Sequence, residues 1–323
     1  LLAVKSTKDV SAVTNGWLVV SVVLCGFGIL EYFTDWHLAS KWYELQPDYA
    51  KPFIVMATFG NPNDFGAFLV LAVALILSRK GQNTGLMWVL FGLFSFLIFL
   101  TGNRIGLISI VFMLLFRFSR SPVRTVCYVF GLSALLLNLE GISRYFGYPQ
   151  LESLLTLLDS TPNECSSVQI RVNMGYVTVQ GLIDSVLLGF GPGNFGSIVR
   201  SLDFQKLTCG IVDPHNWFLE IAGEYGLLIS VGYLTSLIWV FRSASSPTSL
   251  ARHSGMSPLI LMTGFVFAAS TSSSFAGLPM NWLYFGILIA TSLPQRKIPS
   301  FEMTACQRHS FGRTLGKVGS PYD

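Results

Sequence analysis

The chain's 323 residues are 51% hydrophobic and 12% charged, with a formal net charge of +4, against roughly 25% charged residues in ordinary globular domains. One soluble core has no room for several separate long apolar runs, so the composition excludes a soluble globular enzyme and predicts an integral membrane protein. An aromatic fraction of 14%, with 26 Phe, suits lipid-facing surfaces, and no nucleic-acid partner is expected.

The chain opens on Leu1-Leu2, with no initiator Met and no basic-then-apolar leader, and on that ground reads as a fragment or trimmed product with upstream helices missing. Eight apolar runs follow. The first covers residues 16–33 and leads into a polar, aromatic loop at 35–51, where Trp36, Trp42 and Tyr43 hold interface-like positions. The second, 65–78, follows a partly buried lead-in at 53–60. The third and fourth, 85–100 and 105–118, are separated only by Thr101-Gly102-Asn103-Arg104, so they are expected to be antiparallel neighbours. The fifth is 123–139 and the sixth 217–241. Residues 259–293 are too long for one span and break at Gly277-Leu278-Pro279, which gives the seventh and eighth.

Basic residues give an independent check on this count. Lys5 and Lys8, Arg79 and Lys80, Arg117, Arg120 and Arg124, Arg242 and Arg252, and five more between Arg296 and Lys317 all fall on one side if there are eight spans. The positive-inside rule makes that side the cytoplasm. The expected fold is therefore an all-α integral membrane protein with about eight transmembrane helices. Helices one to five occupy 1–139, a large extracytoplasmic loop 140–213, helices six to eight 214–293, and a cytoplasmic tail 294–323. The loop is acidic in balance, and its stretches 151–158 and 172–188 read as amphipathic helices on the membrane surface or over the bundle. It also carries Cys165 and Cys209, for which a disulfide and two free thiols are both open readings. No spacing resembles a metal-binding Cys/His set.

Residues 189–226 hold the most chemistry. Asp213 suits an N-cap and Pro214 a first helical position, which would put His215 in the first turn of the sixth span. Orphan N–H groups and the positive end of the helix dipole gather there, favouring anions and a neutral imidazole fit to accept a proton. Gly191-Pro192-Gly193-Asn194-Phe195-Gly196 fits the dinucleotide pattern G-x-G-x-x-G, but no strand leads into it within a βαβ unit. It reads instead as a tight external loop, with Gly191 and Gly193 allowing close backbone approach to a ligand or partner.

In order along the chain, Asn61-Pro62-Asn63-Asp64, Thr101-Gly102-Asn103-Arg104-Ile105-Gly106, Gln169-Ile170-Arg171, Leu188-Gly189-Phe190-Gly191-Pro192-Gly193, and Pro214-His215-Asn216 through Glu224 resemble the O-antigen ligase and polymerase family. The resemblance runs from about residue 54 to 293. It implies a bacterial inner-membrane, multi-pass glycosyltransferase whose active site faces outward and whose donor is an undecaprenyl-pyrophosphate-linked oligosaccharide. The acceptor would be a glycan or lipid, and the lipid bilayer is the medium. The same resemblance assigns His215 to the acceptor proton, Arg171 to the leaving pyrophosphate, and Arg104 to a second arginine of the centre. Asn216, Glu224, Asp64, Gly191 and Gly193 become candidates for substrate binding.

Plainer roles stand beside these. Glu224 pairs with a buried arginine or is structural, Arg104 is an interfacial snorkeller, Arg171 a solvated cation, and Asn61 to Asp64 a turn capping the second span. A guanidinium's planar fork suits phosphate oxygens whatever the family. Arginines are accordingly expected to stand in for a divalent metal, with no cofactor. The alternative function is a transporter or flippase of the same lipid-linked glycan, which would show internal repeats and interrupted helices. Ligase and polymerase share donor chemistry and are not separable by sequence.

Overall fold

The computed structural model describes residues 6–34, 36–37, 54–79, 85–118, 167–201 and 208–295. The described residues are helical throughout and contain no strand, only isolated bridges at Arg79–Met256 and Ser249–Pro294. In chain order the helices are α1 (Thr7–Thr34), α2 (Pro62–Ser78), α3 (Gly85–Leu100), α4 (Arg104–Phe118), α5 (Ser167–Asp184), α6 (Phe195–Ser201), α7 (Trp217–Ala244), α8 (Leu250–His253), α9 (Pro258–Ala269) and α10 (Pro279–Ser292). The expected fifth span, the 151–158 helix and the tail from residue 296 lie outside the described residues.

α1 and α7, each of 28 residues, are long and apolar enough to cross a bilayer, and α2, α3 and α9 are shorter apolar helices. Large apolar side chains stay exposed along both long helices, Val19, Val23 and Phe33 on α1 and Leu228, Val231 and Trp239 on α7. Such continuous apolar surface is rare on a monomer in water and ordinary against lipid tails.

α2 is the central helix. Asn61 caps it by accepting the Asn63 N–H at 2.8 Å, and Pro62 occupies its first turn, where a missing N–H costs nothing. Phe65 through Leu77 are all buried, the pattern of a helix that is apolar all round and surrounded by others. α9, α3 and α4 pack on it, with α9 the closest neighbour. That approach depends on Gly264, since a Cβ there would sit 2.3 Å from the Ala74 methyl. Small residues at the contact let two apolar helices meet backbone to backbone.

The helices run antiparallel, so their connections collect at two ends. At one end Ser257 N–H donates to the Ser78 carbonyl, Leu250 to Leu293, and Gln295 to Thr248. Arg79 also lies there, buried, its guanidinium donating to Thr14 and Asn15 of α1. At the other end lie the start of α2, the α3–α4 turn, the start of α7 and the α9–α10 connection. That second end holds every candidate site residue.

Three expectations about local structure are corrected. The helix after Asp213 begins later than expected: Asn216 is the N-cap of α7, its side chain accepting from Phe218 and Leu219. His215 therefore precedes the helix, at φ +47°, which is incompatible with a helical turn. The surface helix expected at 172–188 is α5, five residues earlier at its start and four shorter at its end. The sixth span, read as one continuous segment, breaks at Gly226, where φ is 82° and ψ 173°. Cys209 is disulfide-bonded, and Cys165 lies outside the described residues.

Candidate functional site

His215 is half-buried in the turn before α7, its N–H donating to the Ser273 carbonyl at 3.4 Å. Burial and the positive charge of Arg171 bring the imidazole down to about 4, against a small opposing pull from its hydrogen bond to the Thr271 backbone. The ring is thus neutral at physiological pH, and its Nδ1 is buried with no hydrogen-bond partner. Arg171, in the second turn of α5, is also half-buried. Burial, and then the charge of Arg104, pull its guanidinium below its ordinary value. Arginine starts so high that it stays charged at neutral pH all the same.

Arg104 begins α4, directly after the Thr101-Gly102-Asn103 turn. Among the described residues neither Arg104 nor Arg171 has an ion pair or a side-chain hydrogen bond. Two like charges held near one another make the surrounding potential positive, which favours an anion. The sequence placed these three residues in three separate segments, and the fold brings them together: Arg104 acts electrostatically on Arg171, and Arg171 on His215.

The other candidates have partners within the protein. Asn216 spends its side-chain oxygen on the α7 cap. Asp64 is buried and accepts from Ser273 twice, Oδ1 from its N–H at 2.6 Å and Oδ2 from its hydroxyl at 2.7 Å. Glu224 is buried on α7 and accepts from the Phe195 N–H at 3.3 Å, while its carbonyl accepts the Gly191 N–H at 3.0 Å. Gly191 and Gly193, at φ +93° and +73°, turn the loop from α5 into α6. That loop docks on the break in α7: Phe190 N–H donates to the Gly223 carbonyl at 2.8 Å, and Leu227 N–H to the Leu187 carbonyl at 3.0 Å.

Two side chains that the sequence reading left unassigned organise this end. Asn103 donates to the Asn63 carbonyl and the Thr271 hydroxyl, and accepts the Gly106 N–H, which ties the starts of α2 and α4 to the α9–α10 connection. Glu220, buried in the first turn of α7, accepts from the Ser274 hydroxyl and from the N–H groups of Phe275 and Ala276. A carboxylate in the first turn of an apolar segment, with a Ser-Ser-Ser run far along the chain, was the available signal. Among the described residues no group of His, Cys, Asp and Glu is placed to hold a metal ion.

Residues 88–234 match the O-antigen ligase family. Over that region the chain is similar to the O-antigen ligase family. The matched region includes Arg104, Arg171, Gly191, Gly193, His215, Asn216 and Glu224, and stops short of Asp64 and Ser273 on either side. The teichuronic acid biosynthesis protein TuaE of Bacillus subtilis (strain 168) is 26% identical over 298 residues, which is 85% of this chain. The chain spans 59% of the length of that relative.

Proposed function

We propose that this chain transfers a glycan from a lipid pyrophosphate carrier to a hydroxyl acceptor in cell-surface polysaccharide biosynthesis, at the end of the bundle where His215, Arg171 and Arg104 meet. The observation that carries the reading is two half-buried guanidinium groups, without an ion pair among the described residues, beside a neutral imidazole. The O-antigen ligase match and the likeness to a teichuronic acid biosynthesis protein support the substrate class.

In this mechanism the acceptor oxygen attacks the anomeric carbon of the donor. The bond from that carbon to the pyrophosphate oxygen breaks, and undecaprenyl pyrophosphate leaves with the bonding pair. His215 takes the acceptor's proton. Charge builds on the leaving pyrophosphate, and Arg104 and Arg171 supply fixed, partly desolvated donors where it develops. The two arginines take the role that a divalent cation has in many glycosyl transfers. The site faces outward in the bacterial inner membrane, and the remaining helices are membrane spans.

One observation favours the transporter alternative, since α7 is interrupted at Gly226. The backbone groups freed by that break, however, are taken by residues 187–191, and Gly226 is buried against Leu188. A break sealed by another segment of the same chain braces a loop rather than lining a path.

The test is incubation of the purified protein in proteoliposomes with an undecaprenyl-pyrophosphate-linked oligosaccharide and candidate acceptors, with and without a chelator. Longer lipid-linked chains identify a polymerase, and glycan on a different acceptor identifies a ligase. Turnover is expected to survive the chelator. Movement of intact donor across the bilayer without any new glycosidic bond would replace the enzyme reading with the transporter one.

A further inference from the structure

The connection between α9 and α10, residues 270–278, is gripped from two sides. Asp64, at the start of α2, takes both the N–H and the hydroxyl of Ser273, and Glu220 takes Ser274, Phe275 and Ala276. From that clamped turn, hydrogen bonds run back to the histidine. The Ser273 carbonyl accepts the His215 N–H, and the Thr271 backbone bonds to the imidazole. His215 stands at φ +47°, in the left-handed region that few residues other than glycine occupy, although histidine enters it more readily than most. A backbone held there persists only when its surroundings over-determine it. The clamped turn, with the Asn216 cap on the other side, is what surrounds it.

We propose that Asp64, acting through Ser273, is a positioning residue that seats His215 for proton transfer, so that the α9–α10 connection belongs to the reacting centre without touching the substrate. The proposal rests on the glycan-transfer reading of His215. It departs from a direct contact between Asp64 and sugar hydroxyls, because both Asp64 oxygens are already engaged at 2.6 and 2.7 Å. Neither Asp64 nor Ser273 falls within residues 88–234, so the family match does not supply this role.

The two roles separate in kinetics. A sugar-binding carboxylate sets the donor KM, whereas a positioning carboxylate sets kcat, because a catalytic group displaced by about 1 Å costs on the order of a hundredfold. A released histidine also titrates differently. Of the charged groups around this turn, Arg171 of α5 acts on His215 directly, Arg104 of α4 acts on Arg171, Asp213 in the preceding turn acts on Asp64 of α2, and Glu220 of α7 holds Ser274. Freed from its seat, the imidazole returns from about 4 toward its ordinary value near 6.5.

The experiment compares wild type, Asp64→Ala, Asp64→Leu, Asp64→Asn, Ser273→Ala and His215→Ala as full chains in proteoliposomes. It measures kcat and KM for the oligosaccharide donor against pH. In parallel, diethylpyrocarbonate labelling of His215 is read by peptide mass spectrometry, which needs no turnover. Asp64→Ala is expected to lower kcat about a hundredfold at unchanged donor KM, to move the acid limb upward, and to speed labelling of His215. Asp64→Asn should recover much of the loss, since its oxygen still accepts the Ser273 N–H and its amide donates to the hydroxyl. Wild-type kcat and labelling in Asp64→Ala, or a raised KM alone, overturns the proposal. If Asp64→Ala fails to insert, Asp64→Leu, which fills a similar space with no acceptor, carries the labelling test, and unchanged labelling there is equally fatal; Ser273→Ala, which keeps both main-chain bonds of Ser273, should change labelling less. Full turnover in His215→Ala would instead remove the proton-accepting role of His215, while the labelling arm still reports whether Asp64 seats the histidine.

Discussion

An imidazole with an ordinary value near 6.5 sits at about 4 in His215, and the causes are burial first and the Arg171 charge second. Lowering favours the neutral form, so the proton-accepting state is present above pH 4 and lost only below it. The acid limb of kcat/KM, which reports the free enzyme, is therefore expected near 4 rather than 6.5. Arg171→Ala removes one cause, so its limb should move upward. It should also weaken donor binding and turnover by the charge-assisted hydrogen bonds lost, about 1.5–3 kcal/mol each. Arg171→Lys keeps the charge and loses the fork, so it should hold the limb while recovering only part of the affinity. An unmoved limb in Arg171→Ala would show that the two side chains do not communicate. The candidacy of His215, Arg171 and Arg104 came from the ordered motifs around them and from the fit of a guanidinium fork to phosphate oxygens. The partner of Asp64 was not legible, because Ser273 lies 209 positions away and one serine in a run of three carries no mark of its role.

At the scale of elements, apolar runs read well and their interruptions did not. The helix Gly85–Leu100 falls on the expected run end for end, and the break before Pro279 separates α9 from α10 as its proline requires. The N-cap of α7 was misplaced because Asp213 and Asn216 are both good caps, and the choice depends on a neighbour, the clamped turn holding His215 out of the helix. Gly226 sits in an apolar run that reads as continuous helix, and only the docking of residues 187–191 explains its extended, positive-φ backbone. A Cβ at Gly226 would lie 2.5 Å from the Leu188 carbonyl carbon and oxygen, in a conformation essentially reserved for glycine. Gly226→Ala should therefore lower the apparent melting temperature in detergent, since backbone strain alone costs about 1–3 kcal/mol. Gly232, on the same helix, has open space where its Cβ would be. Gly232→Ala should leave stability unchanged or raise it by about 1 kcal/mol through helix propensity. Equal melting temperatures for the two variants would mean that the break is not locked by the loop.

For the whole molecule, polarity is divided between the two ends of the bundle. Arg79, Arg117, Arg242 and Arg252 lie at or beyond the ends of α2, α4 and α7 and in α8, away from the candidate site. Arg104, Arg171 and His215 lie at the opposite end, with the carboxylates that brace the turns around them. This separation is what the positive-inside rule requires if the site faces outward, because the basic loops then remain in the cytoplasm. A carrier glycan presented outside the membrane would meet the arginines there, while its polyprenyl chain stays among the helices. The arrangement predicts a specific reporter pattern. A reporter active only outside the cytoplasm should be active when fused after Ser160, in the acidic connection that precedes α5, and silent when fused after Arg120, just beyond α4. The reverse pattern would turn the arginine pair and His215 toward the cytoplasm, away from an externally presented donor, and the assignment of pyrophosphate to Arg104 and Arg171 would fall with the topology.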